Sequence, residues 1–352
     1  MGPIMTAKRV TLADVARRAG TSTAVVSYVL NDGPRPVSEA LRARVVAALD
    51  ELDYRPDRIA RALRRPRRWR QIGLLVPDLT LPLFGALVGR VEVEARGRDH
   101  LTLIGNTGYD PEREIEFVRA FADSGIDGLI VVGSASGPAT AALCRQERIP
   151  VVWVHNNRGT VDAPVIGADH VRAGALATEH LVAAHGRADV VFVGGFTARD
   201  VQHGDRETVA QRYEGYVSVV GRSAARAIRT DLTPAGAYHA VTAHLAAAGA
   251  PQGMVVGTYG QAAAALRAVT DSGVRVPQDL ALVGFDGDAA NTYARPTLTT
   301  VQQPIDVIAR HALDAALLTS AAARNPLDVS LRPGETCGCG AGVAPSAPAT
   351  MG

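Results

Sequence analysis

A chain of 352 residues, 47% apolar and 20% charged, has the bulk character of a soluble globular protein with room for two or three domains. It holds no run of roughly 20 apolar residues that would span a bilayer, and Met1 to Val10 lack the apolar core of a secretory signal, so a cytoplasmic location is expected. The net charge of +2 conceals an asymmetry: residues 1–70 carry 15 Lys/Arg against 7 Asp/Glu, a balance of +8, and the remainder carries 22 against 28, a balance of −6. A small basic head on an acidic body suits contact with a polyanion, although a solvated basic face would read the same way.

Residues 10–31 read VTLADVARRAGTSTAVVSYVLN. Thr11 and Asp14 have the spacing of a helix start, in which the threonine hydroxyl satisfies free backbone N–H groups. Leu12, Val15, Ala16 and Ala19 follow at i, i+3, i+4 and i+7, one apolar face of a short helix. Gly20 ends it, because glycine accepts the positive φ of a tight turn. Ser22 then caps a second helix that turns Val26, Val29 and Leu30 inward and Thr23, Ala24, Ser27 and Tyr28 outward. Ser38 is predicted to cap a third helix, with Val45, Leu49 and Leu52 as its apolar stripe. Two short helices joined by a glycine turn make a helix-turn-helix, whose second helix fits the major groove. The alternative is a plain three-helix bundle. Residues 55–70 follow with eight arginines and one acid, Asp57; such a segment is poorly ordered alone, and phosphate favours its ordering.

From Gln71 the chain alternates short apolar runs with helical stretches rich in Ala, Leu, Arg and Glu. The runs are Ile72–Val76, Leu101–Ile104, Leu129–Val132, Val151–Val154, Val190–Val193, Met254–Val256 and Ala281–Val283. Repeated β-α units with continuous apolar strands predict parallel sheets covered on both faces, and the length favours two lobes. Ligands of such sheets bind outside the carboxyl ends of the strands, which nominates Asp78, His155, Gly194, Thr258 and Asp286. Of the three cysteines, Cys144, Cys337 and Cys339, the last two form a C-x-C, and no further ligand cluster accompanies them in the sequence. No metal or cofactor is expected.

The words VTLADVA, AG, VS, VLN and YRP in residues 10–63 resemble the head of the LacI/GalR (lactose-repressor type) family. IGLLVPD, DGLIVVG, IPVVWV, GADHVRAGALATEHL, RYEGY, VPQDLALVGFD and LTTVQQP extend the resemblance to about residue 320. It implies an all-α helix-turn-helix head and an α/β two-lobed periplasmic-binding-protein type I body with parallel Rossmann-like sheets. The expected division is head 8–55, hinge helix and linker 56–70, body 71–336 with lobe crossings near 160, 288 and 320, and a flexible tail 337–352. The implied function is a cytoplasmic transcriptional regulator, a repressor in the commoner mode. It would bind double-stranded operator DNA as a homodimer under allosteric control by a small, sugar-like effector held between the lobes.

Carried over position by position, the resemblance implies DNA contacts from Thr11, Ser22, Thr23, Ala24, Ser27, Tyr28, Asn31, Tyr54, Arg58, Ala60 and Leu63, with Leu63 as an apolar wedge in the minor groove. It implies effector contacts from Phe84, His155, Thr208, Arg212, Thr258, Asp286 and Gln303; Thr208 and Arg212 share a helical face. Departures exist. Asp57 stands where asparagine is common, Tyr28 where a basic residue is frequent, and His155 where aspartate is frequent. Thr258-Tyr259 replaces an Asn-Asp pair, and Leu232 replaces a stacking aromatic. A transport-linked solute-binding protein is the rival reading, but it would carry no basic helical head. No GxGxxG, Walker loop or G-x-S-x-G supports an enzyme.

Overall fold

The computed structural model describes residues 10–31, 37–52, 70–155, 163–201, 205–287, 291, 293–319 and 326–339. The chain divides into two compact units, Met1–Arg68 and Trp69–Gly352. The hinge positions Tyr54, Arg58, Ala60 and Leu63 lie outside the described residues.

The head contains helices α1 (Leu12–Ala19), α2 (Thr23–Asn31) and α3 (Glu39–Glu51). Thr11 and Asp14 cap α1 reciprocally: the Thr11 hydroxyl accepts from the Asp14 N–H at 3.3 Å, and the Asp14 carboxylate accepts from the Thr11 N–H at 2.9 Å. Gly20 closes the helix at φ 62°, ψ 44°. The Ser22 hydroxyl accepts from the Val25 N–H at 3.3 Å. Ser38 stands at the cap position of α3 but makes no side-chain cap bond; its carbonyl oxygen instead accepts from Leu41 and Arg42. Val15, Val26 and Val45, one from each helix, are fully buried at the centre of a small core.

The body is built on two sheets. The first holds β1 (Arg70–Val76), β2 (His100–Asn106), β3 (Gly128–Val132), β4 (Val151–Val154) and β5 (Val165–Ile166) in the order β2-β1-β3-β4-β5. All of its pairings are parallel. Helices α4 (Pro82–Arg96) and α11 (Ile305–Ala316) cover one face, and α5 (Pro111–Ser124) and α6 (Gly137–Glu147) the other.

The second sheet holds β6 (Val190–Gly194), β7 (Ala227–Arg229), β8 (Gly253–Val256), β9 (Ala281–Phe285), β10 (Thr299–Gln302) and β11 (Ser330–Arg332), ordered β11-β10-β9-β8-β6-β7. Only β11 runs antiparallel to its neighbour. Helices α9 (Pro234–Ala248) and α10 (Tyr259–Asp271) pack on one face, and α7 (His170–Glu179) and α8 (Arg206–Val220) on the other. In both sheets the strand order reverses beside the first strand, β1 or β6, and ligands of such sheets bind at that point, outside the carboxyl ends of the strands.

The lobe crossings depart from expectation. β5 still pairs with β4, so the first crossing falls at residues 167–169, just before α7, and not near 160. β10 pairs with β9 while α11 packs on the first lobe, so the second falls at Gln303-Pro304 and not near 288. The third lies between Ala316 and Ser330, and residues 320–325 of that stretch are outside the described ones. The tail does not begin at 337. Glu335–Cys337 form a 3-10 turn, and Thr336 and Cys337 are fully buried because the Thr336 hydroxyl donates to the Leu282 carbonyl oxygen at 2.7 Å and accepts from the Thr299 N–H.

Candidate functional site

On the head, α2 buries Val26 and Val29 and leaves Ser22, Thr23 and Ala24 exposed, with Ser27 and Tyr28 half-buried. Its amino-terminal turn therefore presents two hydroxyls and a methyl group outward, as a groove-reading helix does. Thr11 is exposed at the start of α1. Asn31 closes α2, and its side chain lies outside the described residues.

In the body, six of the seven nominated effector residues, Thr258 excepted, are buried around the strand ends. Asp286 directly follows β9 in a left-handed conformation, φ 59°, which aspartate tolerates better than most residues. Its carboxylate accepts from Arg212 Nη2 at 3.2 Å, from Gln303 Nε2 at 3.0 Å and from the Gln303 N–H at 3.3 Å. Arg212 also donates from Nη1 to the Gly257 carbonyl oxygen at 2.8 Å and lies over the Phe285 ring, 4.2 Å from its centroid; its Nε is buried with no partner. Burial lowers the Arg212 pKa, and the carboxylates of Asp286 and Asp205 oppose that shift.

The first lobe contributes His155, immediately after β4 at φ 86°, and Phe84 from α4, packed edge to face with ring centroids 5.3 Å apart. His155 Nε2 lies 2.7 Å from the carboxylate of Asp205, which caps α8 and accepts the Thr208 hydroxyl at 2.6 Å. Burial alone would raise the Asp205 carboxyl. His155 and the Thr208 donors hold it well below the usual range. Burial, with Asp205 and Asp78 nearby, pushes the phenol of Tyr109 upward. Asp205 of the second lobe is thus gripped by His155 and faced by Tyr109 of the first. Thr258 is committed differently: it caps α10 by accepting from the Gln261 N–H at 3.3 Å.

Residues 11–57 match the family of bacterial regulatory proteins of the lacI type, and residues 178–337 match a periplasmic binding protein-like domain. The HTH-type transcriptional repressor PurR of Salmonella typhimurium is 28% identical over 313 residues, spanning 87% of this chain and 89% of that protein. The lac repressor dimer bound to operator and the anti-inducer ONPF superposes with a TM-score of 0.68 at 25% identity, over 94% of this chain and 99% of that one. A LacI-family regulator from Silicibacter pomeroyi shares the fold with a TM-score of 0.70 at 23% identity, over 93% and 99% of the two chains.

The chain belongs to the LacI/GalR family. It is a DNA-binding transcriptional regulator, and these relatives are regulators, not enzymes. A solute-binding protein of a transport system has no counterpart to the matched head. Among the described residues no helix is long and apolar enough to cross a membrane.

Within this LacI/GalR regulator the structure brings together Phe84, His155, Thr208, Arg212, Asp286 and Gln303. The other strand-end candidates diverge: Asp78 accepts from the Thr80 N–H and hydroxyl, and Gly194 packs against Val209. Leu232 sits half-buried against the second-lobe core. Sequence reasoning missed Asp205, Tyr109 and His170. Asp205 carried a usable signal, an acid three residues ahead of Thr208 at a helix start. His170, fully buried, donates from Nε2 to the His155 carbonyl oxygen at 2.9 Å.

Proposed function

We propose that this protein is a homodimeric, cytoplasmic repressor that grips operator DNA through the outer face of α2 and the hinge around Leu63, and that a small hydroxyl-rich molecule in the body cleft sets that grip. It acts by binding, without turnover. The observation that carries the effector reading is the buried Arg212–Asp286–Gln303 network at the strand ends of the second lobe, facing His155 and Phe84 of the first. Asp286 and Gln303 supply paired acceptors and donors for vicinal hydroxyls, Arg212 supplies a fork of donors, and Phe84 an apolar wall. His155 and Tyr109, closing on Asp205, latch the lobes around the occupant. Val93 on α4 and Ile104 on the same side of the edge strand β2 stay exposed at 52% and 42%, a face suited to a second copy of the chain.

A thermal-shift screen with sugars and related polyols tests this reading. We expect one class to raise the melting temperature of the wild-type protein and to leave Asp286→Ala unmoved. That variant also loses about 3–5 kcal/mol of stability, because a buried Arg212 loses its paired carboxylate; Asp286→Asn loses the same charge but keeps an acceptor for Arg212, and the ligand shift of each variant is read against its own ligand-free melting temperature. An equal ligand shift in all three proteins would contradict the assignment.

A further inference from the structure

Two segments remote in sequence meet on the second lobe, away from the residues described above. The first is the end of α7. The helix does not stop at Glu179 but continues as a π-turn, His180–Ala184, with His185 next. In a regular α-helix, residues five apart are rotated by about 140° and look away from one another. The wider π-turn returns them toward one face, and such turns recur at functional sites. The rings of His180 and His185 stand edge to face with centroids 4.7 Å apart.

The second segment is the strap after β11. Cys337 is buried, Gly338 turns the chain at φ 98°, and exposed Cys339 follows; only glycine takes that conformation readily. His185 Nε2 lies 3.2 Å from His180 Nε2 and 3.3 Å from Cys339 Sγ, and Cys339 Sγ lies 3.5 Å from His180 Nε2. With Cys337 Sγ, all four donor atoms fall within 4.8 Å of one another.

Zinc bonds of about 2.0–2.1 Å to nitrogen and 2.3 Å to sulfur give a tetrahedron with edges of about 3.3 Å between nitrogens and about 3.6 Å between nitrogen and sulfur. The three separations between His180, His185 and Cys339 match those edges. We propose that His180, His185, Cys337 and Cys339 form a Cys₂His₂ site for a single Zn(II) ion. This corrects the expectation that the C-x-C lacks companion ligands: its partners are supplied by an element 154 residues away, not by a neighbouring sequence word. The soft thiolate pair with imidazoles selects Zn(II) over Mg(II) or Ca(II), which require oxygen ligands.

The scaffold holds the donors in place without the ion. Thr336 bridges Leu282 and Thr299, and Glu335 accepts from the Thr297 N–H at 2.8 Å. Binding converts two thiols to thiolates, releases their two protons to solvent, and changes no oxidation state. The ion staples the carboxy-terminal strap to the far end of α7, whose near end carries His170 at the cleft.

The test uses full-length protein, reduced and stripped with a chelator. Zn(II) is titrated against a chromophoric competitor, and Co(II) is substituted to read geometry. We expect one tight equivalent, a Co(II) spectrum with intense tetrahedral ligand-field bands and a thiolate charge-transfer band, and a Zn(II)-induced rise in melting temperature. Cys339→Ser and His185→Gln should each bind at least ~100-fold more weakly, since loss of even an outer-shell partner costs about 10–100-fold. Circular dichroism establishes that both variants are folded. No tight uptake by the reduced wild-type protein, a weak octahedral spectrum without charge transfer, or undiminished binding in both variants would overturn the proposal.

Discussion

His170 keeps its proton on Nε2, because its partner there, the His155 carbonyl oxygen, only accepts. Its Nδ1 is buried without a partner. Burial first, then the positive charge of Arg212 and the proximity of His155, push the His170 pKa well below its ordinary 6.5, and Asp205 opposes them. The unfolded chain takes up a proton near 6.5 while the folded chain does not, so the unfolded state binds more protons below that pH. The native state therefore loses stability as pH falls from about 6.5 toward the depressed folded value, and the effect vanishes above 6.5. His170→Gln retains a donor for the His155 carbonyl but does not titrate. We expect its melting temperature to fall less steeply with acidification below pH 6.5 than that of the wild-type protein. Equal slopes would contradict the role. Arg212 and Asp286 were legible in the sequence through the words RYEGY and VGFD. Asp205, Tyr109 and His170 were not, because each gains its meaning from a partner that only the folded lobes bring near.

Helices α7 and α8 cross with their backbones in direct contact. A Cβ added to Gly174 would collide with the Arg212 carbonyl, and one added to Gly215 would collide with the Val171 carbonyl. The crossing thus fixes where Arg212 enters the cleft. In an exposed helix interior, Gly→Ala stabilises by up to ~1 kcal/mol. For Gly174→Ala we expect the opposite sign, a loss of about 1–3 kcal/mol from overpacking, together with weaker ligand binding as Arg212 is displaced. Stability measured by denaturant unfolding checks the sign, and a gain would contradict the close crossing.

At this scale the sequence foretold the strands with unbroken apolar runs, such as β3 and β9, whose residues are all buried. It hid β5 and β7, which are only two and three residues long, and β10, whose buried Thr299 and Thr300 read as polar. The crossings were misplaced for the same reason, since both follow strands with no visible run. The π-turn at His180 has no sequence signature, so the histidine pair was invisible until folded.

For the whole molecule, the charge asymmetry and the head's helix starts marked off a basic helical head from an acidic α/β body, and the resemblance to the LacI/GalR family supplied the DNA-facing and ligand-facing roles. The coupling between them is a free energy and must be reciprocal: whatever the effector does to operator affinity, the operator does to effector affinity. The most direct measurement is the operator affinity of the protein, head and body together, by fluorescence anisotropy at fixed salt, with and without a saturating amount of the ligand that raises its melting temperature. The account predicts a change of about 5–150-fold, the range of typical coupling energies, and its disappearance in Asp286→Asn with the ligand-free operator affinity retained. An operator affinity indifferent to a ligand that demonstrably fills the cleft would contradict it.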